Sequence, residues 1–243
     1  MMGEMMRRLG VLLGWLVGAA LLATVCAGNG TALPRKGKLP PDLTEILSHM
    51  NESAKRLKTV SANLEYTKVT ALVNDKSTES GRIFFRKGKG NDILINIQKP
   101  EAKAILFQKN RAEIFNPKIN QIQEYDLQDK SGLVEQFFLL GFSTDADRLR
   151  KDYELKFLKE EELEGDTTVV LELTPRSEST RSQITLIQLW VSEESWLPVQ
   201  QKFSQPGGDY FTARYTAVKV NRNLPSSAFR IPAPPDAKRV QMN

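Results

Sequence analysis

Between Gly81 and Leu127 the chain breaks into short runs of Ile, Phe and Leu, and a turn signal closes each one. Arg82 to Arg86 gives way to Lys87-Gly88-Lys89-Gly90, and Ile93 to Ile97 gives way to Lys99-Pro100. Ala104 to Gln108 ends in Lys109-Asn110, Ala112 to Phe115 ends in Asn116-Pro117, and Ile119 to Tyr125 follows. Apolar runs this short, with turns this close, are successive antiparallel hairpins. Side chains alternate faces along a strand. Ile93, Ile95 and Ile97 therefore make one wholly apolar face, while Leu94, Asn96 and Gln98 make a mixed one. A sheet with such a face must be covered or curl on itself.

The flanking sequence supplies more strands and a few covers. Val60, Ala62, Leu64 and Tyr66 alternate, then the phase slips to Val69, Ala71 and Val73. A slip of one residue turns the apolar set to the other face unless a bulge absorbs it, which predicts one long, bent strand before the turn at Asn74-Asp75-Lys76. Further strands are expected at Tyr153 to Leu158, Thr167 to Leu173, Gln183 to Val191, Val199 to Phe203 and Tyr210 to Val220. The acidic run Glu160 to Glu164 reads as a solvated turn. The proline-rich end, Asn221 to Pro225 and Phe229 to Pro235, is extended and suited to lie along an edge. The total is about eleven strands.

Ahead of the sheet, Leu43, Ile46, Leu47, Met50, Ala54 and Leu57 recur at helical spacing and form a single apolar stripe. Pro41 and Asp42 suit the start of that helix, which ends near Lys58. Leu133, Val134, Phe137, Phe138, Leu139 and Leu140 predict a short, very apolar helix ended by Gly141. Thr144 to Asp147 suits the cap of another, to about Lys151.

The amino terminus has the shape of a secretory signal. Arg7 and Arg8 precede an apolar run from Leu9 to Ala23, and small residues follow through Ala27, Gly28 and Ala32. Residues 1–27 are assigned to the signal, with cleavage after Ala27 or Ala32, residues 28–40 to a flexible linker, and residues 41–243 to the domain. Retention as an uncleaved anchor is the alternative, since the run approaches the length of a spanning helix. Cys26 is the only cysteine, so a mature chain cut after it has no disulfide and is held by packing alone.

Chemistry is hard to find. His49 is the only histidine and lies off the helix stripe, so no zinc cluster or serine–histidine pair is legible. Lys87 to Gly90 belongs to a hairpin and cradles no phosphate. Net charge is +5, with 34 Lys and Arg dispersed among 29 Asp and Glu, unlike a nucleic-acid binder's concentrated basic face. No enzyme, no cofactor and no metal are expected. Apolar surface remains, and a twisted sheet of this size curls into an open or closed barrel. A barrel interior with spare room would shelter acyl chains.

The order of four segments resembles the periplasmic outer-membrane lipoprotein carrier family (LolA-like). They are GRIFFRKG at Gly81 to Gly88, ILFQKNRAEIFNPKINQIQEYDL at Ile105 to Leu127, WLPVQQKF at Trp196 to Phe203, and LPSSAFRIPAPPDAKRV at Leu224 to Val240. The resemblance implies a mainly β fold, a half-open antiparallel barrel of eleven strands with helices as a lid over a hydrophobic cavity. It implies a periplasmic monomer that takes acylated lipoproteins from an inner-membrane ABC-type releasing complex towards the outer membrane, where an acceptor receives them. On the alternation above, Phe85, Ile93, Ile95, Ile97 and Phe107 would line the cavity. Leu43 and Leu47 of the first helix, with Phe137 and Leu140 of the short helix, would form the lid. In the family an arginine on the second strand latches the lid. Here Lys87 stands at that position, with Arg86 beside it, and lysine lacks the arginine fork. The same fold resembles the amino-terminal domain of periplasmic envelope-stress sensors, which is the alternative function; a small-molecule hydrolase using His49 is the third.

Overall fold

The strand alternation carries through one continuous sheet. The computed structural model describes residues 42–88, 90–127, 140–142 and 145–242. Helix α1 (Leu43–Arg56) leads into β1 (Thr59–Thr70), which turns back as β2 (Asp75–Arg86). The meander continues as β3 (Asp92–Lys99), β4 (Lys103–Gln108), β5 (Arg111–Asn116) and β6 (Gln121–Asp126). A short helix α2 (Ala146–Asp152) precedes β7 (Tyr153–Leu163) and β8 (Asp166–Pro175). A single turn α3 (Glu178–Arg181) precedes β9 (Leu186–Ser192), β10 (Pro198–Ser204) and β11 (Tyr210–Val220), and β12 (Lys238–Met242) is the last described strand.

These strands form one open, twelve-stranded sheet in the order β12-β6-β5-β4-β3-β2-β1-β11-β10-β9-β8-β7. Each consecutive pair is antiparallel except β12 and β6, which run parallel from Lys238 opposite Gln121 to Met242 opposite Tyr125. Strand β11 returns beside β1, so the first and last long strands pair in the middle of the sheet.

The described strands number twelve, in keeping with the eleven or so expected, and the proline-rich tail supplies the last of them, β12, along the edge of β6. Three expectations are corrected here. Strand β1 carries Val69 and ends at Thr70, so the bent strand stops short of Ala71. Ala71–Val73 forms a 3-10 turn closed by Asn74 in the left-handed region at φ 48°. Leu72 and Val73 therefore stand in solvent, 92% and 67% exposed, and the bulge lies instead at Ser61/Asn63 against β11. The acidic run is mostly strand. Glu160 to Leu163 continues β7, Glu161 accepts the indole N–H of Trp190 and pairs with Lys159, and only Glu164 turns, at φ 54°. Strand β9 starts at Leu186, because the amides of Gln183 and Ile184 donate back to the Thr180 carbonyl, at 3.0 and 2.9 Å, in the turn after α3.

Two cores flank the sheet. On one face Leu94, Ala104, Leu106, Phe115 and Ile122 pack under Phe229, with Leu224, Ile231 and other tail residues against them. The tail thus covers the outer side of the meander before β12 docks. The other face is the larger apolar surface, and it carries α1.

Candidate functional site

Strand register places the residues of the α1 face. Phe85 pairs with Ile93 and Ile93 with Phe107. Ile83 pairs with Ile95, which pairs with Ile105, and Gly81 pairs with Ile97. Paired residues share a face, so Phe85, Ile93, Ile95, Ile97 and Phe107 stand together. The face continues through Val60, Ala62 and Leu64 on β1, Ala213 and Tyr215 on β11, and Leu189 and Leu171 on β9 and β8. All of these are buried; Ile93 and Ile97 are each 1% exposed. Close approach is required at Gly81, where a Cβ would lie 2.0 Å from the Asn96 carbonyl oxygen.

The covers are α1 and the segment Leu140–Phe142. Helix α1 turns Ile46, Leu47, Met50 and Ala54 inward, while Leu43 is only half-buried. Gly141 sits within van der Waals reach of Met50, Leu189 and Pro198, so helix, segment and sheet meet there. Its φ of +80° and a would-be Cβ contact of 2.7 Å with Pro198 leave room for glycine alone. Leu140 is buried beside it. Phe137 lies outside the described residues.

A buried polar pair holds this segment. Gln201, 1% exposed, donates from Nε2 to the Leu140 carbonyl at 2.7 Å. Its Oε1 accepts from the Tyr215 hydroxyl at 2.9 Å. Burial pushes the Tyr215 phenol well above its ordinary value, so it stays a donor. The ring of Phe142 meets Tyr215 edge to face, with centroids 5.2 Å apart. Nothing in the sequence marks Gln201, which reads as an ordinary strand polar residue.

Polar contacts at its margin hold α1. The Lys87 ammonium donates to the Ala54 carbonyl at 3.1 Å, in the last turn of the helix, where carbonyls lack intrahelical partners. Ser53 Oγ donates to the Ser195 carbonyl at 2.9 Å. His49 stacks on Trp196 with ring centroids 4.5 Å apart, and Glu45 lies 3.8 Å from its Nε2. Arg86 does not share this task. It points to the opposite face, where it pairs with Asp92 at 2.5 Å and lies over the Phe229 ring at 4.5 Å. The alternation that turns Phe85 towards α1 turns Arg86 away, onto the tail.

Among the described residues no group of three or more His, Cys, Asp and Glu gathers to hold a metal, and no described helix is long and apolar enough to cross a membrane.

Solved structures similar to the chain include an uncharacterized conserved protein from Thermus thermophilus, at TM-score 0.53 and 13% identity. The match covers 82% of this chain and 98% of that one. MucB is similar at TM-score 0.51 and 14% identity, over 77% of this chain. The match spans 62% of the MucB chain. A LolA superfamily protein from Nitrosomonas europaea is also similar, with 17% identity and coverage of 77% and 96%; at its TM-score of 0.37 the likeness carries no weight. At such identities the likenesses speak of fold alone. The open antiparallel sheet with helices on one face is the fold that the LolA-like resemblance implied. No curated protein matches the sequence. A family model described as "-like: Uncharacterized protein" matches residues 103–228, just over half of the chain, and the chain belongs to that family.

Proposed function

We propose that the chain is a carrier without chemistry of its own. It shelters the acyl chains of lipoproteins on the α1 face and moves them across the periplasm from inner to outer membrane. The observation that carries this reading is the largely apolar face from Phe107 to Leu171, covered by α1 and by Leu140–Phe142, with α1 tied down by polar contacts at His49, Ser53 and Ala54.

The magnitudes favour exchange of the helix for a ligand. Full burial of Ile46, Leu47 and Met50 is worth about 1.5–3 kcal/mol each, so about 5–9 kcal/mol holds the helix down. One acyl chain of about sixteen carbons gains on the order of 12 kcal/mol on leaving water, at about 0.8 kcal/mol per methylene. An entering chain therefore outweighs the side chains it displaces. The margin is narrow enough for cargo to leave again, and lids are drawn from weakly held elements. In this reading Leu43, Leu47 and Leu140 move with the cover, and Lys87 holds α1 shut until cargo arrives. An inner-membrane ABC-type releasing complex supplies the lipoprotein and an outer-membrane acceptor receives it.

A second reading, a periplasmic sensor of lipid or lipoprotein, is favoured by the fold shared with MucB. The readings separate in one experiment. The full chain, purified without detergent, is offered a palmitoylated peptide and then crosslinked in membranes. A carrier takes up the peptide one to one and passes it on. A sensor keeps it and crosslinks to a single membrane protein. Ile95→Glu, which places a carboxylate on the face, abolishes uptake in both. Undiminished uptake by that variant, with secondary structure intact, removes the α1 face from the account.

A further inference from the structure

The α1 face is interrupted by one ion pair. Glu79 on β2 and Lys103 on β4 meet at 2.6 Å with side chains only 13% and 15% exposed. Register places both on this face: Glu79 opposite Tyr66, which lies opposite Ala213, and Lys103 opposite Ile97. Six positions along β2 separate Glu79 from Phe85, about 20 Å at strand rise. The pair therefore lies towards the end away from Lys87 and the last turn of α1. That span is close to the extended length of a palmitoyl chain.

Stability does not account for the pair, since apolar side chains of similar size in such a place are often as stable or more so. Nor is the pair complete. Lys103 engages Oε1, while Oε2 is buried with no hydrogen-bond partner among the described residues. A buried carboxylate oxygen demands a donor. Burial holds Glu79 above the ordinary carboxylate range, with Lys103 opposing, and burial and then Glu79's charge keep the Tyr66 phenol protonated. A phosphate head would bring only acceptors and a like charge to this oxygen.

We propose that Glu79, held by Lys103 and flanked by Tyr66, receives the head of the acyl ligand on this face, and that this head carries a hydrogen-bond donor next to the chain. The donor is the hydroxyl of an acylglycerol or the N–H of an N-acyl amide, not a phosphate or a bare ester. The inference rests on the acyl-binding reading above and narrows it to a ligand class. The chain lies towards Phe85 and Ile93, and the donor meets Oε2.

The test uses the full chain and three palmitoyl probes, by competition against a fluorescent fatty acid. Monopalmitoylglycerol offers hydroxyls, N-methylpalmitamide offers a single N–H, and methyl palmitate offers no donor. Wild type is expected to bind at least one donor probe about tenfold tighter than methyl palmitate, which is about 1.4 kcal/mol. Preference for the first alone assigns the site to glycerol, and for the second alone to the amide. Glu79→Gln should erase the preference, since its amide presents a donor. The double variant Glu79→Leu/Lys103→Met removes the pair together and keeps the face apolar. It should fold, bind methyl palmitate at least as well as wild type, and show no preference. Equal binding of all three probes by wild type, or an unchanged preference in the double variant, overturns the inference and leaves the acyl-binding reading standing. Failure of wild type to bind any probe overturns both.

Discussion

Gln201→Leu removes two buried hydrogen bonds without opening a cavity. The wild-type amide donates to the Leu140 carbonyl at 2.7 Å and accepts from Tyr215 at 2.9 Å, at a position 1% exposed to solvent. Leucine is of similar size and leaves both partners buried and unpaired. Each such group costs about 1–3 kcal/mol. The added apolar burial returns about 1 kcal/mol, so the net loss should be about 1–5 kcal/mol. Surface changes elsewhere fall within about 0.5 kcal/mol. Urea unfolding of wild type and variant, at a common slope, measures the difference. Tyr215→Phe in the Gln201→Leu background removes one orphaned hydroxyl and should recover about 1 kcal/mol, which shows as coupling in a double-mutant cycle. Hydrogen exchange should rise at Leu140–Phe142 more than in β3 and β4, because the lost bonds anchor that segment. A loss below about 0.5 kcal/mol, or strictly additive single and double variants, would refute the claim that Gln201 ties this cover to the sheet.

Other perturbations probe the remaining parts. Lys87→Ala removes a cation from the last turn of α1 and should cost only about 0.3–1 kcal/mol in global stability; exchange of the α1 amides should rise and acyl uptake should quicken. Phe229→Ala empties the centre of the outer core, where Arg86 lies over the ring. A loss of about 3–5 kcal/mol is expected by calorimetry, with β12 exchanging faster. Gly81→Ala drives a methyl into the Asn96 carbonyl and should abolish soluble expression or lower the urea midpoint sharply. The pH dependence follows from Glu79. Its folded pKa is raised above the ordinary 4.5, chiefly by burial, so the folded state binds more protons than the unfolded one. The stability it contributes is present in acid and is lost as pH rises through the raised value. Relative to Glu79→Gln, the wild-type urea midpoint should therefore fall between pH 4 and pH 7; a midpoint difference that rises with pH would contradict this.

Local alternation made the inner face of the meander legible. Ile93, Ile95 and Ile97 lie on one strand, and their strand neighbours follow within a few residues, so period two alone placed Phe85 and Phe107 beside them. The helix stripe was legible for the same reason, with Leu43 left half-buried because it stands at the first turn. What escaped depends on distant partners. Gln201 is buried by a carbonyl 61 positions away, and nothing in its own neighbourhood separates it from Gln200. Glu79 follows the turn at Asn74-Asp75-Lys76 in a polar stretch without apolar alternation, and only the passage of β4 beside β3 brings Lys103 to it. Arg86 is different, since the alternation that turned Phe85 inward already sent its neighbour outward. Lys87 lies beyond the end of β2, where alternation no longer governs, and it reaches α1. The tail was readable as extended, but not as a parallel partner of β6, because that pairing requires the whole sheet to be in place first.

The central claim is that the face under α1 exchanges its helical cover for acyl chains. Native mass spectrometry tests it most directly, on the full chain purified without detergent from the cells that make it and then offered a palmitoylated peptide. The account predicts a discrete added mass of one acylated ligand per chain, on wild type and absent from Ile95→Glu. A wild-type spectrum that shows the bare chain alone, before and after the peptide is offered, would contradict it.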